Sequence, residues 1–247
     1  SAAGQRKVYA KSDGIYHLDS AGNERKVGSG SGGGDISYIV NGSADDANAS
    51  IFVPYADTGL RPVDGTGGSP TVTTSISSVS PLNGTKSYLL TKPAANVQGQ
   101  GWAVPFTVDL AYRAKSLKIS VDVILNSGTY VPGNNSSSPL DGDVIWYIYD
   151  VTNSQLIEPS NIKMFSNSTT LSDKYEATFQ TSATGSSYRL IAHISTTSAS
   201  AYELKVDNVT VTPQVSIYTS SMSSAVDYVP TLSNATNVTI VKSTVTR

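Results

Sequence analysis

Thiol chemistry is absent from this chain and imidazole chemistry scarce, because its 247 residues include no cysteine and only 2 histidines. Thiol catalysis, disulfides and zinc-thiolate sites are excluded. His17 and His193 fall in separate segments, and His193 stands in a strand-like run beside Ile191 and Ile194, where a packed ring is the ordinary role. No Gly-x-Ser-x-Gly elbow accompanies the many serines. Gly65-Thr66-Gly67-Gly68 lacks the lysine and the helix that a phosphate cradle needs. Acidic neighbours occur at Asp45-Asp46, Asp141/Asp143 and Asp150/Glu158, and glycoside hydrolysis needs two carboxylates across one groove. Turn chemistry accounts for each pair equally well, since aspartate starts turns by bonding its own backbone. Asp207 places a carboxylate inside Lys205-Val206-Asp207-Asn208-Val209-Thr210-Val211. It is either an oxygen ligand for a structural cation or an aspartate on the solvent face of a strand.

Aromatic groups are the stronger lead. The chain has 14 Tyr against 2 Trp and 4 Phe, a set that favours wet-edged surfaces and interfaces. In Val144-Ile145-Trp146-Tyr147-Ile148-Tyr149, the two-residue period of a strand puts Trp146 on one face and Tyr147 and Tyr149 on the other. One face is core, and the other is a stacking platform for a sugar ring or a surface covered by a neighbour. Trp102 follows Gly99-Gln100-Gly101 near the start of its strand, where a ligand groove often lies. Trp102, Trp146 and Tyr149 are therefore the candidate ligand-binding residues, and Asp207 the candidate metal ligand.

The elements that must position these residues are strands. Ser and Thr make up roughly a quarter of the chain and Gly another 20 residues, a composition of strands and turns. Strands are expected over 37–40, 71–80, 87–91, 101–110, 116–125, 144–150, 174–181, 187–195 and 202–212. Leu117, Ile119, Val121 and Val123 alternate with Lys118, Ser120 and Asp122, so one face is buried and one solvated. Turn clusters recur about every ten residues, the pattern of an all-β sandwich or jelly roll. The one helix-like stretch, 111–114, is a single turn. Ahead of the sandwich, Lys7–Lys11 and Ile15–Leu18 flank Asp13-Gly14 as a hairpin, and Ala21-Gly22-Asn23 turns into Arg25–Val27. Residues 28–34, Gly-Ser-Gly-Ser-Gly-Gly-Gly, read as a flexible linker. Three regions follow: an N-terminal hairpin arm with its linker over 1–34, a jelly roll over 35–214, and an extended arm or the start of a further module over 215–247. The start lacks an initiator Met and the end is strand-like, so both are expected to be cuts, or arms completed by a neighbour.

The net charge is −2, with 17 Lys and Arg against 19 Asp and Glu, so no phosphate-neutralising excess points to nucleic acid. No run of about 18 apolar residues points to membrane insertion.

The stretch Ser80–Lys92 resembles the early strands of carbohydrate-binding-module jelly rolls of the galactose-binding-like kind, and Ala201–Val211 resembles their closing strand. Trp146–Asn153 followed by Thr196–Tyr202 is similar to versions found in tailed-bacteriophage tail fibres, tail spikes and capsid-associated fibres. Residues 7–22 resemble a short repeat that precedes larger modules in phage fibres. The resemblance implies a non-enzymatic virion protein, a homotrimer contacting other virion proteins and a host surface glycan, with the particle as its location. It also implies that Asp207 holds a structural Ca²⁺. The alternative is a carbohydrate-binding module of a secreted polysaccharide-degrading enzyme. A third reading is a depolymerase spike, with Asp141 and Asp143 as its carboxylates.

Overall fold

The computed structural model describes residues 7–11, 14–18, 24–27, 37–133, 142–163, 169–170 and 172–214. The chain divides into two units, Ser1–Pro213 and Gln214–Arg247. The second unit, apart from Gln214, and the glycine linker lie outside the described residues.

Near the N-terminus, β1 (Lys7–Lys11), β2 (Gly14–Leu18) and β3 (Glu24–Val27) form an antiparallel sheet in the order β1-β2-β3. The register Lys11↔Gly14 closes the first hairpin with Gly14 as the first residue of β2, one residue earlier than the expected Asp13-Gly14 turn allows; Ser12 and Asp13 lie outside the described residues.

The remaining strands make two five-stranded sheets of antiparallel pairs. The front sheet runs β10 (Gln155–Ile157), β9 (Val144–Asp150), β12 (Ser187–Ile194), β7 (Gln100–Thr107), β4 (Val53–Ala56). The back sheet runs β11 (Asp173–Gln180), β8 (Ser116–Gly128), β13 (Tyr202–Pro213), β6 (Ser87–Lys92), β5 (Thr73–Ser77). Alternating apolar residues of both sheets meet in one core, with Leu117, Ile119 and Val121 of β8 opposite Trp146 and Ile148 of β9 and Leu190 of β12. The all-β jelly-roll sandwich expected from the turn spacing is thus the fold found.

Two expectations change in detail. Residues 37–40 form bends rather than a strand; they dock by Tyr38 N–H donating to Val211 O before the chain turns through Asn41 at φ 57°. Beyond the strands expected, β4 and β10 complete the front sheet. Their patterns are too short, and in β4 interrupted by Pro54, for a period to register. The helix-like segment is one 3₁₀ turn, Leu110–Tyr112.

Trp102 and Trp146 lie between the sheets with 0% and 1% of their surface exposed. Trp146 stacks on Tyr175 at 5.1 Å, and Trp102 Nε1 donates to Thr73 O at 2.9 Å. Truncation of either leaves a large cavity. Trp102→Ala and Trp146→Ala are each expected to lower unfolding free energy by about 3–5 kcal/mol, read from the urea midpoint.

Candidate functional site

The front sheet is apolar on both faces. Its outer face carries three rows of side chains, set by register. The first is Ile145–His193–Gly101–Tyr55, the second Tyr147–Ile191–Ala103–Val53, and the third Leu156–Tyr149–Arg189–Pro105. Ile145, Tyr147, Ile191, Ala103 and Tyr55 are buried in a second apolar cluster, separate from the core between the sheets. Their cover is the loop 57–68 together with Ile162; Val53, at the β4 end of the second row, stays 55% exposed.

The loop is built and fastened by polar groups. Asp57 Oδ2 accepts the amides of Val63, Asp64 and Gly65 at 2.8, 3.3 and 3.1 Å, so one carboxylate shapes the whole turn. Gly65, at φ +73°, lies so close to the sheet that a Cβ would stand 2.6 Å from Ile191 Cδ1. Gly101 leaves the space over which the Tyr55 side chain lies, its Oη 2.8 Å from where a Cβ would be. Beneath the loop, His193 is fully buried. Tyr55 Oη donates to His193 Nδ1 at 2.7 Å, and His193 Nε2 donates to Gly59 O at 3.2 Å, which fixes the neutral Nε2-protonated tautomer. Burial pushes the His193 ring down to about 4, against the weaker pull of its bond to Gly59 and of Asp57. At the rim, Arg61 pairs with Glu158. Arg189 Nη1 donates to Asp64 O at 3.1 Å, and its guanidinium lies 5.9 Å from the Tyr149 ring centre.

The third row stays open: Tyr149 and Arg189 are half-buried and Pro105 is exposed. At the Pro105 end it meets a groove of about 450 Å³ lined by Tyr38, Val40, Ile51, Pro105, Thr107 and Ser187, among others. The groove exists because β4 pairs only with Gln100–Ala103, leaving Val104–Thr107 without a strand on that side among the described residues. Val108 N–H turns toward β12 to reach Ser186 O, so the alternation of an antiparallel strand turns the Pro105 nitrogen to the open side. A proline there offers no N–H to an incoming strand, which suits a side-chain groove better than a site for strand addition.

The candidate residues thus separate. Of Trp102, Trp146 and Tyr149, only Tyr149 presents a ring to solvent. The two tryptophans have no free face for a sugar, which corrects the expectation that they form a platform. Sequence reasoning missed Arg189, Pro105 and Tyr38, whose proximity depends on cross-strand register and on a loop arriving from elsewhere.

Asp207 is fully buried on β13 beside a bulge. Its Oδ2 accepts Asn83 N–H at 3.1 Å and Ser87 Oγ–H at 2.8 Å, and its Oδ1 accepts Asn208 N–H at 2.8 Å. Burial pushes its carboxyl above the usual range and these three donors pull it back. Calcium takes six to eight oxygen lone pairs, whereas this pocket turns hydrogen-bond donors toward the carboxylate. Among the described residues no three His, Cys, Asp or Glu side chains converge on one point. The residues present do not fit a calcium site; Asp207 instead straps the 79–85 loop to the back sheet, helped by Asn83 and Asn208 Nδ2 donating to Asp122 Oδ2.

The acidic pairs also act as straps. Asp143 accepts Val131 N–H and Thr196 Oγ–H, and Asp150 accepts Asn153 N–H and Ser182 Oγ–H, each carboxylate fully buried. Asp141 lies outside the described residues. The Asp45 carboxyl is held below its usual range, first by the Thr85 amide and then by the Thr85 hydroxyl.

No protein-family model matches the chain, and no curated protein matches it. Solved structures with some likeness include the CBM22-1 xylan-binding domain of Paenibacillus barcinonensis Xyn10C, at 12% identity and TM-score 0.42, over 65% of this chain and 92% of that one. A second is the C-terminal family 22 carbohydrate-binding module of Clostridium thermocellum Xyn10B, at 9% identity and TM-score 0.45, over 72% of this chain and 96% of that one. A third is the enzymatically active domain of bacteriophage CBA120 tailspike protein 4, at 12% identity and TM-score 0.45; the match spans 72% of this chain and 22% of that one.

Two predictions follow from the buried groups. His193 has a lowered folded pKa, so its contribution is complete above the ordinary value of 6.5 and is lost as pH falls toward about 4. The loss is on the order of 3 kcal/mol across that window, and His193→Phe is expected to flatten this part of a plot of Tm against pH. A calcium chelator is expected to leave Tm unchanged, while Asp207→Ala lowers stability by about 1–3 kcal/mol through the donors it orphans.

Proposed function

We propose that this chain is a non-catalytic glycan-binding module of a bacteriophage virion protein, a fibre, spike or capsid-attached component. We further propose that it engages host surface glycan along the open third row and its groove. The observation that carries the reading is the strip Leu156–Tyr149–Arg189–Pro105, which the loop 57–68 stops short of covering. A tyrosine ring beside a planar guanidinium and an apolar step gives a sugar both a stacking face and hydrogen-bond donors, on strands that do not have to move. Four neighbouring strands span roughly 15 Å, room for about three sugar units. The virion context rests on the resemblance of residues 7–22 and 146–153 to phage fibre segments, and on the N-terminal β1-β2-β3 sheet that precedes the sandwich. Assembly as a homotrimer belongs to the same reading.

The test is binding of the full chain to a glycan array and to lipopolysaccharide or capsule from candidate hosts, with light scattering on the same sample. Tyr149→Ala is expected to weaken binding at least tenfold while the chain stays folded, because the ring packs at the edge of the outer cluster and not within it. A mass three times 25.9 kDa supports the fibre assignment. A monomer that binds plant-type β-glycans instead supports the module of a secreted polysaccharide-degrading enzyme. Binding that survives Tyr149→Ala removes the third row as the site.

A further inference from the structure

The charge at the centre of the open row is unbalanced. Arg189 is half-buried, and of its five N–H groups the structure uses one, the Nη1 bond to Asp64 O. The ion pairs among the described residues are Arg61–Glu158 and Lys118–Glu176, and Arg189 belongs to neither. In the loop, the Asp64 side chain takes the amide and hydroxyl of Thr66 at 2.9 and 2.8 Å, and it is the Asp64 main-chain oxygen that accepts from Arg189. Two buried lysines are answered by several main-chain oxygens each. Lys92 Nζ donates to the carbonyls of Ala95, Ser198 and Ser200 at 3.0, 2.8 and 2.7 Å, and Lys205 Nζ to those of Val79 and Ser80 at 3.2 and 2.9 Å. None of the unused Arg189 N–H groups is a buried orphan, so they face water and are open to a ligand.

Arg189 is also held in place on both sides. The Tyr149 ring lies against its guanidinium, and the Asp64 carbonyl is set by the turn that Asp57 shapes, so the remaining donors are fixed in orientation before any ligand arrives. Such a fork matches the two oxygens of a carboxylate or sulfate. We infer that the open row reads an acidic polysaccharide, with Arg189 taking an anionic substituent of the sugar, a uronate carboxylate or a sulfate ester, while Tyr149 stacks on the ring that carries it. This inference rests on the third row being the glycan site and adds to it the class of glycan.

The experiment titrates the full chain with polygalacturonate, alginate and hyaluronan, each beside its methyl-esterified form, and with dextran sulfate beside dextran and neutral xylan. At least one acidic polymer is expected to bind tenfold or more tightly than its neutral counterpart, and raised salt narrows that gap. Preference for a uronate or for dextran sulfate identifies the substituent. Arg189→Gln is expected to abolish the gap with Tm nearly unchanged, Arg189→Lys to keep part of it, and Tyr149→Ala to weaken acidic and neutral binding alike. Equal binding of the charged and esterified forms overturns the inference and leaves the site reading standing. So does an Arg189→Gln variant that still prefers the acid. Failure to bind any of these polymers, with binding to other glycans lost in Tyr149→Ala, likewise overturns the acidic assignment alone. Failure to bind any glycan removes the site and the inference together.

Discussion

The outer face of the front sheet carries Ile145, Tyr147, Ile191 and Tyr55, all fully buried although they point away from the core between the sheets. Each such side chain contributes roughly 1.5–3 kcal/mol by leaving water, so a sheet that is apolar on both faces has to be covered twice. The back sheet supplies the first cover, and the loop 57–68 with Ile162 the second. Because the loop reaches across two rows and not three, the same apolar face that stabilises the domain is left open along Tyr149, Arg189 and Pro105. The open strip is a consequence of where the cover ends.

Without cysteine, the long loops of this domain are tied down by carboxylates and by buried lysines such as Lys92 and Lys205. Asp57 gathers three amides of its own loop, Asp207 holds the 79–85 loop, and Asp150 and Asp143 hold the turns at the ends of β9. Lys92 draws carbonyls of two loops around its ammonium, and burial lowers its basicity. Buried acceptors of this kind are worth little as isolated bonds and a great deal when broken, since each loss strands several donors. That is why acidic neighbours that look like catalytic or metal-binding groups along the chain serve as loop fastenings here.

Rigidity has a use in recognition. In the proposed reading, a platform of strands with Arg189 held between a tyrosine ring and a carbonyl would lose little entropy on binding a sugar. His193, sealed in its neutral form beneath the loop, makes the cover dependent on pH well below neutrality, and leaves the open row untouched at the pH where the loop is secure.

Much of the architecture could be read along the chain. The alternation of Leu117, Ile119, Val121 and Val123 announced β8, and the split of Trp146 from Tyr147 and Tyr149 announced two faces for β9, because side-chain period in a strand is a local property. The β1-β2 hairpin was legible for the same reason, although its register pairs Gly14 with Lys11 and so starts β2 at Gly14. The period does not say which face meets the other sheet and which meets a loop. That assignment put Trp102 and Trp146 inside and left Tyr149 at the surface. Nor does it say that Pro105, Arg189 and Tyr149 fall in one row, or that the Asp64 carbonyl arrives over them, because those contacts join residues far apart in sequence. The sequence by itself determined the strands and their two-sided character. Only the packing of one sheet on the other, and of a distant loop on the remaining face, decided which side of each strand is available to a ligand.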